Sequence, residues 1–225
     1  MESRPARRDG DATRERLLHA ALDLYTTAGF YRTTTPMLAE RAGIAEGTIY
    51  RHFSSKEHLL NEAWRRSYRA AIELLRALEN DRVRKAPERL ALLGRQLVDL
   101  AATDPPLLRM FFATEPEPFL DEPSRALRRE FLDGLVHLVA MGKSDGLVRP
   151  GPAELWASVW LTIVGHAVDV VASGEWAADS SPAGLTLEAA WDAIAAKPSL
   201  TPSSPPPGRS SGPAPAGEPE STAAP

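Results

Sequence analysis

Residues 33–60 read TTTPMLAERAGIAEGTIYRHFSSKEHLL. Three threonines lead into Pro36, two short apolar segments meet at Ala42-Gly43, and then Tyr50, His52 and Lys56 arrive within seven positions. Large apolar residues are scarce in the middle of the stretch, while hydrogen-bond donors crowd its far end. Two helices that cross steeply and pack closely at their turn need this distribution: a small residue inside the first, a glycine at the turn and apolar anchors on either side. Ala39 fills the small position, Gly43 follows four residues later, Ala42 and Ile44 flank it, and Ile49 is an anchor inside the second helix. The spacing predicts a helix-turn-helix. A generic helical hairpin would more often carry Leu or Ile at two or three of these sites.

The ends of the stretch carry the donors. Thr34 or Thr35 can cap the first helix, and Pro36 sits in its first turn, where a missing N–H costs nothing. Hydroxyls at an exposed helix N-terminus also suit a phosphate, and capping alone explains either threonine equally well. From Glu46 to His52 there are fewer than two helical turns, and Ile49 and Phe53 take the inward face. Thr48, Tyr50, Arg51 and His52 are therefore predicted to project outward, where phosphates or base edges can receive them. Gly47 allows close backbone approach to a base edge, and Lys56 adds a second positive anchor at the start of the next helix.

The segment GFYRTTTPMLAERAGIAEGTIYRHFSSKEHLL resembles the DNA-binding domain of TetR-family transcriptional regulators. A G-F, a T-T pair, an L-A, an A-G-I, a G-T-I-Y, an H-F and an S-K-E-x-L occur in the family's order and spacing, over about residues 13–60. The resemblance implies that the helix Glu46 to Phe53 is the recognition helix. It further implies that Thr34, Thr48, Tyr50, His52 and Lys56 meet mainly phosphates, with Gly47 and its neighbours near base edges. Two positions depart from the pattern. Ala45 stands where many members have serine, removing a side-chain cap at a cost on the order of 1 kcal/mol. Glu46 suits the helix dipole but repels phosphate, so it either reads a cytosine amine or points away.

Outward from this stretch, apolar residues recur at three and four in segment after segment, and nothing alternates at period two for long. The fold class is all-α, about nine helices. A flexible arm is expected over residues 1–10, a three-helix DNA-binding domain over 11–55 and a larger helical ligand-binding and dimerisation domain over 56–196. Asp11 is the predicted cap of the first helix, and the last helix is placed at about Leu185 to Ala196. From Lys197 the composition changes: nine of the last 29 residues are proline and aromatics are absent, so a disordered tail is expected over 197–225.

Bulk properties exclude some classes. Net charge is −4, yet residues 1–60 carry nine Lys/Arg against eight Asp/Glu, leaving 17 against 22 in the remainder. A DNA footprint at the N-terminal end with an acidic body behind it fits this asymmetry. There is no cysteine, hence no disulfide, thiolate metal site or cysteine nucleophile. The most apolar run, Leu155 to Val168, spans 14 residues against about 20 needed to cross a bilayer. A cytoplasmic protein without a membrane partner is expected. No Gly-rich phosphate loop, nucleophile motif or clustered carboxylates suggest an enzyme, and no cofactor is implied. The helical pairs Asp133/His137 and His166/Asp169 have metal-compatible spacing but read as ion pairs, so no metal is expected.

So short a recognition helix reads few bases, and a homodimer on a palindromic operator is the usual remedy. Helix 152–173 is apolar nearly all round, and Trp156, Val159, Ile163 and Val170, with Trp191 and Ile194 of the last helix, form the predicted dimer surface. The resemblance also implies a ligand cavity among the middle helices. Trp64, Met110, Phe111, Phe112, Phe131 and Trp160 are candidate walls, and His137 and His166 candidate polar contacts, with ordinary core packing the competing role for each. The expected function is a ligand-responsive repressor with double-stranded DNA, a second copy of itself and an unidentified small molecule as partners. An activator, or a regulator answering to a protein, is the alternative.

Overall fold

The computed structural model describes residues 4–79, 83–113 and 117–197. Among them are nine α-helices, two single 3-10 turns and no strand beyond one isolated bridge. A head is formed by α1 (Arg4–Thr27), α2 (Thr35–Ala42), a 3-10 turn (Glu46–Thr48) and α3 (Ile49–His52). The body holds α4 (Lys56–Glu79), α5 (Ala86–Thr103), α6 (Pro105–Phe112), α7 (Glu122–Ser144), α8 (Ala153–Ala172) and α9 (Ser181–Asp192). Residues 198–225, and so nearly all of the expected tail, lie outside the described residues.

Three boundaries differ from the sequence reading. Residues 4–10 are the first turns of α1, not an arm, and Asp11 is interior to the helix rather than its cap. The long α1 pairs with α4 through Arg14–Glu62 (2.8 Å) and Arg66–Glu15. The last helix starts four residues early, at Ser181, with Pro182 in its first turn and Ala183 fully buried. It also ends early. Residues beyond Asp192 turn back instead, the Arg149 N–H donating to the Ile194 carbonyl (3.0 Å) and the Ala196 N–H to that of Leu147 (2.8 Å).

Local signals explain most of the remaining ends. Asp104 stops α5, its N–H donating to the Leu100 carbonyl (2.8 Å), and caps α6 by accepting from the Leu107 N–H (3.3 Å). Asp121 caps α7 by accepting from the Ser124 N–H (2.9 Å). Gly94 and Gly142 let helices close up: a β-carbon at Gly142 would lie 2.8 Å from that of Ala86, and one at Gly94 3.0 Å from Leu187.

One apolar core runs through head and body. α4 is its spine, burying Leu59, Leu60 and Ala63 near the head and Tyr68, Ile72 and Leu75 in the body. The boundary at residue 55/56 is thus a change of chain direction, not a gap in packing. By length and composition α8 could cross a membrane, but here its buried side, including Trp160, Val164 and Val168, packs within the body against α5, α6, α7 and α9. Its opposite side is not apolar: Ser158, Thr162, His166 and Asp169 are exposed there.

Candidate nucleic-acid interface

Thr33 is fully buried, its hydroxyl donating to the Gly29 carbonyl (2.8 Å), and this closes the loop between α1 and α2. Thr34 is the cap of α2 and accepts from the Met37 N–H at 3.4 Å. At the other end Gly43 adopts φ +65°, with its N–H on the Glu40 carbonyl (3.1 Å) and the Ile44 N–H on that of Ala39 (3.0 Å). Only a residue comfortable in the left-handed region makes this double closure, which turns the chain sharply into the next element. Ala39 and Ala42 are buried at the turn, as the spacing required.

The next element is shorter than a regular helix: a 3-10 turn over 46–48 passes into a single α turn over 49–52. Ala45 supplies no side-chain cap. Ile49 and Phe53 each expose 1% of their surface, and this fixes which side faces inward. Tyr50 is 58% exposed, Glu46, Gly47 and Arg51 are exposed, and Thr48 and His52 are half-buried. Ser55 caps α4 by accepting from the His58 N–H (3.0 Å), while the Ser54 N–H donates to His58 Nδ1 (3.2 Å).

Two predicted contacts are engaged within the chain. The Thr35 hydroxyl donates to Glu46 Oε1 at 2.7 Å, so the carboxylate lies back against the start of α2. The Lys56 ammonium sits over the Phe30 ring, 4.1 Å from its centroid, and burial lowers its pKa against an opposing effect of the Glu57 charge. Thr34, Tyr50 and Arg51 are left exposed, and His52 half-buried.

Between α1, α4 and the start of α7 runs a polar network that sequence reasoning missed. Arg65, nearly buried, bonds Asp121 (2.8 Å), Glu62 (2.6 Å) and the Ser124 hydroxyl (3.0 Å), and Arg14 of α1 bonds the other side of Glu62. Asn61 accepts from the Asp121 N–H (2.9 Å) and the Ser124 hydroxyl (2.7 Å). Burial alone would raise Glu62 and Asp121, but bonds from Arg65, with Arg14 on Glu62 and Ser124 on Asp121, hold both below their ordinary range. Only the Asp121-Glu-Pro-Ser124 cap pattern hinted at it.

The remaining candidates scatter. Trp64, Phe111, Phe131 and Trp160 are core residues, with Tyr68 5.1 Å from Trp64 and 4.8 Å from Phe111 between ring centroids. Met110 and Phe112 alone of the candidate walls border the cleft between the end of α1, α6 and α8. His137 and His166 are exposed, the latter edge-on to Trp176 at 5.8 Å. Trp156, Val159, Ile163, Val170 and Trp191 are half-buried along α8 and α9. Ile194 is a correction: it exposes nothing, lying within the segment that turns back on Leu147 and Arg149, and has no surface to offer a partner.

Residues 17–63 match the family described as "Bacterial regulatory proteins, tetR family". The transcriptional repressor KstR of Rhodococcus jostii is 28% identical over 166 residues, covering 70% of this chain and 76% of that protein. Among solved structures, a TetR family transcription regulator from Marinobacter aquaeolei VT8 superimposes with TM-score 0.71 at 23% identity, covering 85% of this chain and all of the other. SmeT, the repressor of the Stenotrophomonas maltophilia multidrug efflux pump SmeDEF, does so with TM-score 0.60 at 23% identity, over 83% of this chain and 92% of that one.

Proposed function

We propose that this chain, a TetR-family transcriptional regulator, acts as a cytoplasmic homodimeric repressor that binds a palindromic operator and is released by a small molecule. The observation carrying the DNA side is the opposition of faces on the element 46–53. Ile49 and Phe53 are locked into the core, and this turns Tyr50, Arg51 and Gly47 outward on the surface where Thr34 caps α2. Hydroxyl and cationic tips on one exposed surface suit two phosphates flanking a groove, with the glycine near base edges. One such element per chain reads too little sequence, and the half-buried Trp156, Val159, Ile163 and Trp191 offer a surface on which a second copy would double it.

Release requires the ligand to prefer one head arrangement over the other by a coupling of about 1–3 kcal/mol. Selection of duplexes from a random pool by the full-length protein tests the reading. A palindromic consensus is expected, bound by a dimer, with log K falling against log salt at a slope of about −4 to −7 for two to four phosphate contacts per chain. Failure to enrich any palindrome, or an essentially salt-independent affinity, would contradict it.

A further inference from the structure

A cleft of about 1080 Å³ lies not inside the body but between it and the head. One wall is residues 25–32, the end of α1 and the loop behind it; the facing walls are α6 and α8. Anything bound there touches head and body at once. Met110, Phe112 and Val168 make its apolar floor. The Phe112 ring lies directly on Gly165, where a β-carbon would stand 2.9 Å from a ring carbon. Two arginines, Arg32 and Arg109, also line the cleft. Arg32 is exposed and has no hydrogen-bond or ion-pair partner among the described residues. Arg109 donates to the Ala172 carbonyl (2.9 Å) and meets no carboxylate among them. The single carboxylate of the lining, Asp169, is exposed.

The geometry points to an effector site in this head–body cleft for an apolar or aromatic molecule carrying one anionic group. Apolar walls take the body of such a molecule, and the two guanidinium groups, neither paired with a carboxylate among the described residues, take its charge. The inference deepens the ligand-responsive reading and rests on it. It also supplies a short route to DNA. Phe30 and Tyr31 belong to the cleft wall, Phe30 lies under the Lys56 ammonium, and Phe119 packs on both rings at 4.7 and 5.3 Å. An occupant that shifts Phe30 therefore shifts the junction between the recognition element and α4.

The test uses the full-length protein and two fluorescent probes, 1-anilinonaphthalene-8-sulfonate and its uncharged counterpart N-phenyl-1-naphthylamine. The sulfonate is expected to bind one per chain, about tenfold more tightly than the neutral probe. Arg32→Met and Arg109→Met should each weaken the sulfonate about fivefold or more and leave the neutral probe unaffected. Gly165→Val, which pushes Phe112 into the cleft, should weaken both. Arg32 is exposed, so its variant folds even if another does not; thermal unfolding checks each. Equal affinity for the two probes, or sulfonate binding unchanged in every folded variant, overturns the site. Probe binding with the expected signature but no effect on operator affinity leaves the site standing and removes ligand release. Operator release indifferent to all three substitutions does the reverse.

Discussion

The Thr35 hydroxyl donates to the Glu46 carboxylate at 2.7 Å, tying the first turn of α2 to the first residue of the recognition element. A negative charge is thereby held on the surface proposed to meet phosphates, with one of its two oxygens engaged. Glu46→Gln retains an acceptor for Thr35 and removes the charge. Duplex affinity is expected to rise about three- to tenfold at low ionic strength and to converge on the parent's at high salt, read by fluorescence anisotropy. A fall in affinity would instead make Glu46 a reader of a base amine.

Tyr50 and Lys56 separate by their surroundings. Tyr50 is 58% exposed, so Tyr50→Ala should weaken binding to all duplexes about tenfold while changing stability by under about 0.5 kcal/mol. Lys56→Ala also removes the ammonium from the Phe30 ring, and about 1 kcal/mol should be lost with it, a fall of about 2–4 °C in Tm. Parallel gel-shift and thermal-unfolding measurements on the two variants distinguish these outcomes.

Gly43 tests the turn. Nothing but an Arg16 nitrogen at 3.9 Å would meet a β-carbon there, so Gly43→Ala carries a conformational cost and no clash. Denaturant unfolding should report a loss of about 1–2 kcal/mol, the cost of φ +65° for a residue with a side chain. A neutral result would show that the turn is not held in this geometry.

Arg65 sets an acid limit. Glu62 and Asp121 are held below their ordinary values of 4.5 and 3.8 in the folded protein, so the unfolded chain binds more protons as pH falls through that range. Their contribution to stability is complete above about pH 5 and is lost progressively below about pH 4.5. Arg65→Met should flatten this acid limb and cost about 2 kcal/mol at neutral pH, less than for a fully buried pair because Asp121 still reaches water. Chemical denaturation at pH 7 and pH 4 measures both effects.

Leu185 is 61% exposed on α9, so its own fold does not depend on it. If the α8–α9 face joins two copies, Leu185→Arg should shift sedimentation from dimer to monomer with unfolding little changed. An unaltered dimer would move the interface elsewhere.

The helix pair, its left-handed turn and the outward tips were legible in the sequence because every requirement there is local. A cap, a glycine at positive φ and two anchors three or four residues apart are read from neighbours along the chain. The caps Asp104 and Asp121 are likewise local, each accepting from an N–H three residues on. Where the reading failed, distant residues decided. Arg14, Glu62, Arg65 and Asp121 come from two helices and the cap of a third, and nothing in any of those segments names the others. Arg14 and Glu15 of α1 pair with Glu62 and Arg66 of α4, a match between segments some 50 residues apart. Trp64, Phe131 and Trp160 carry the same apolar pattern whether they wall a cavity or fill a core. Burial decides between those roles, and it depends on which helices close over a residue, a property of packing between segments and not of order within one.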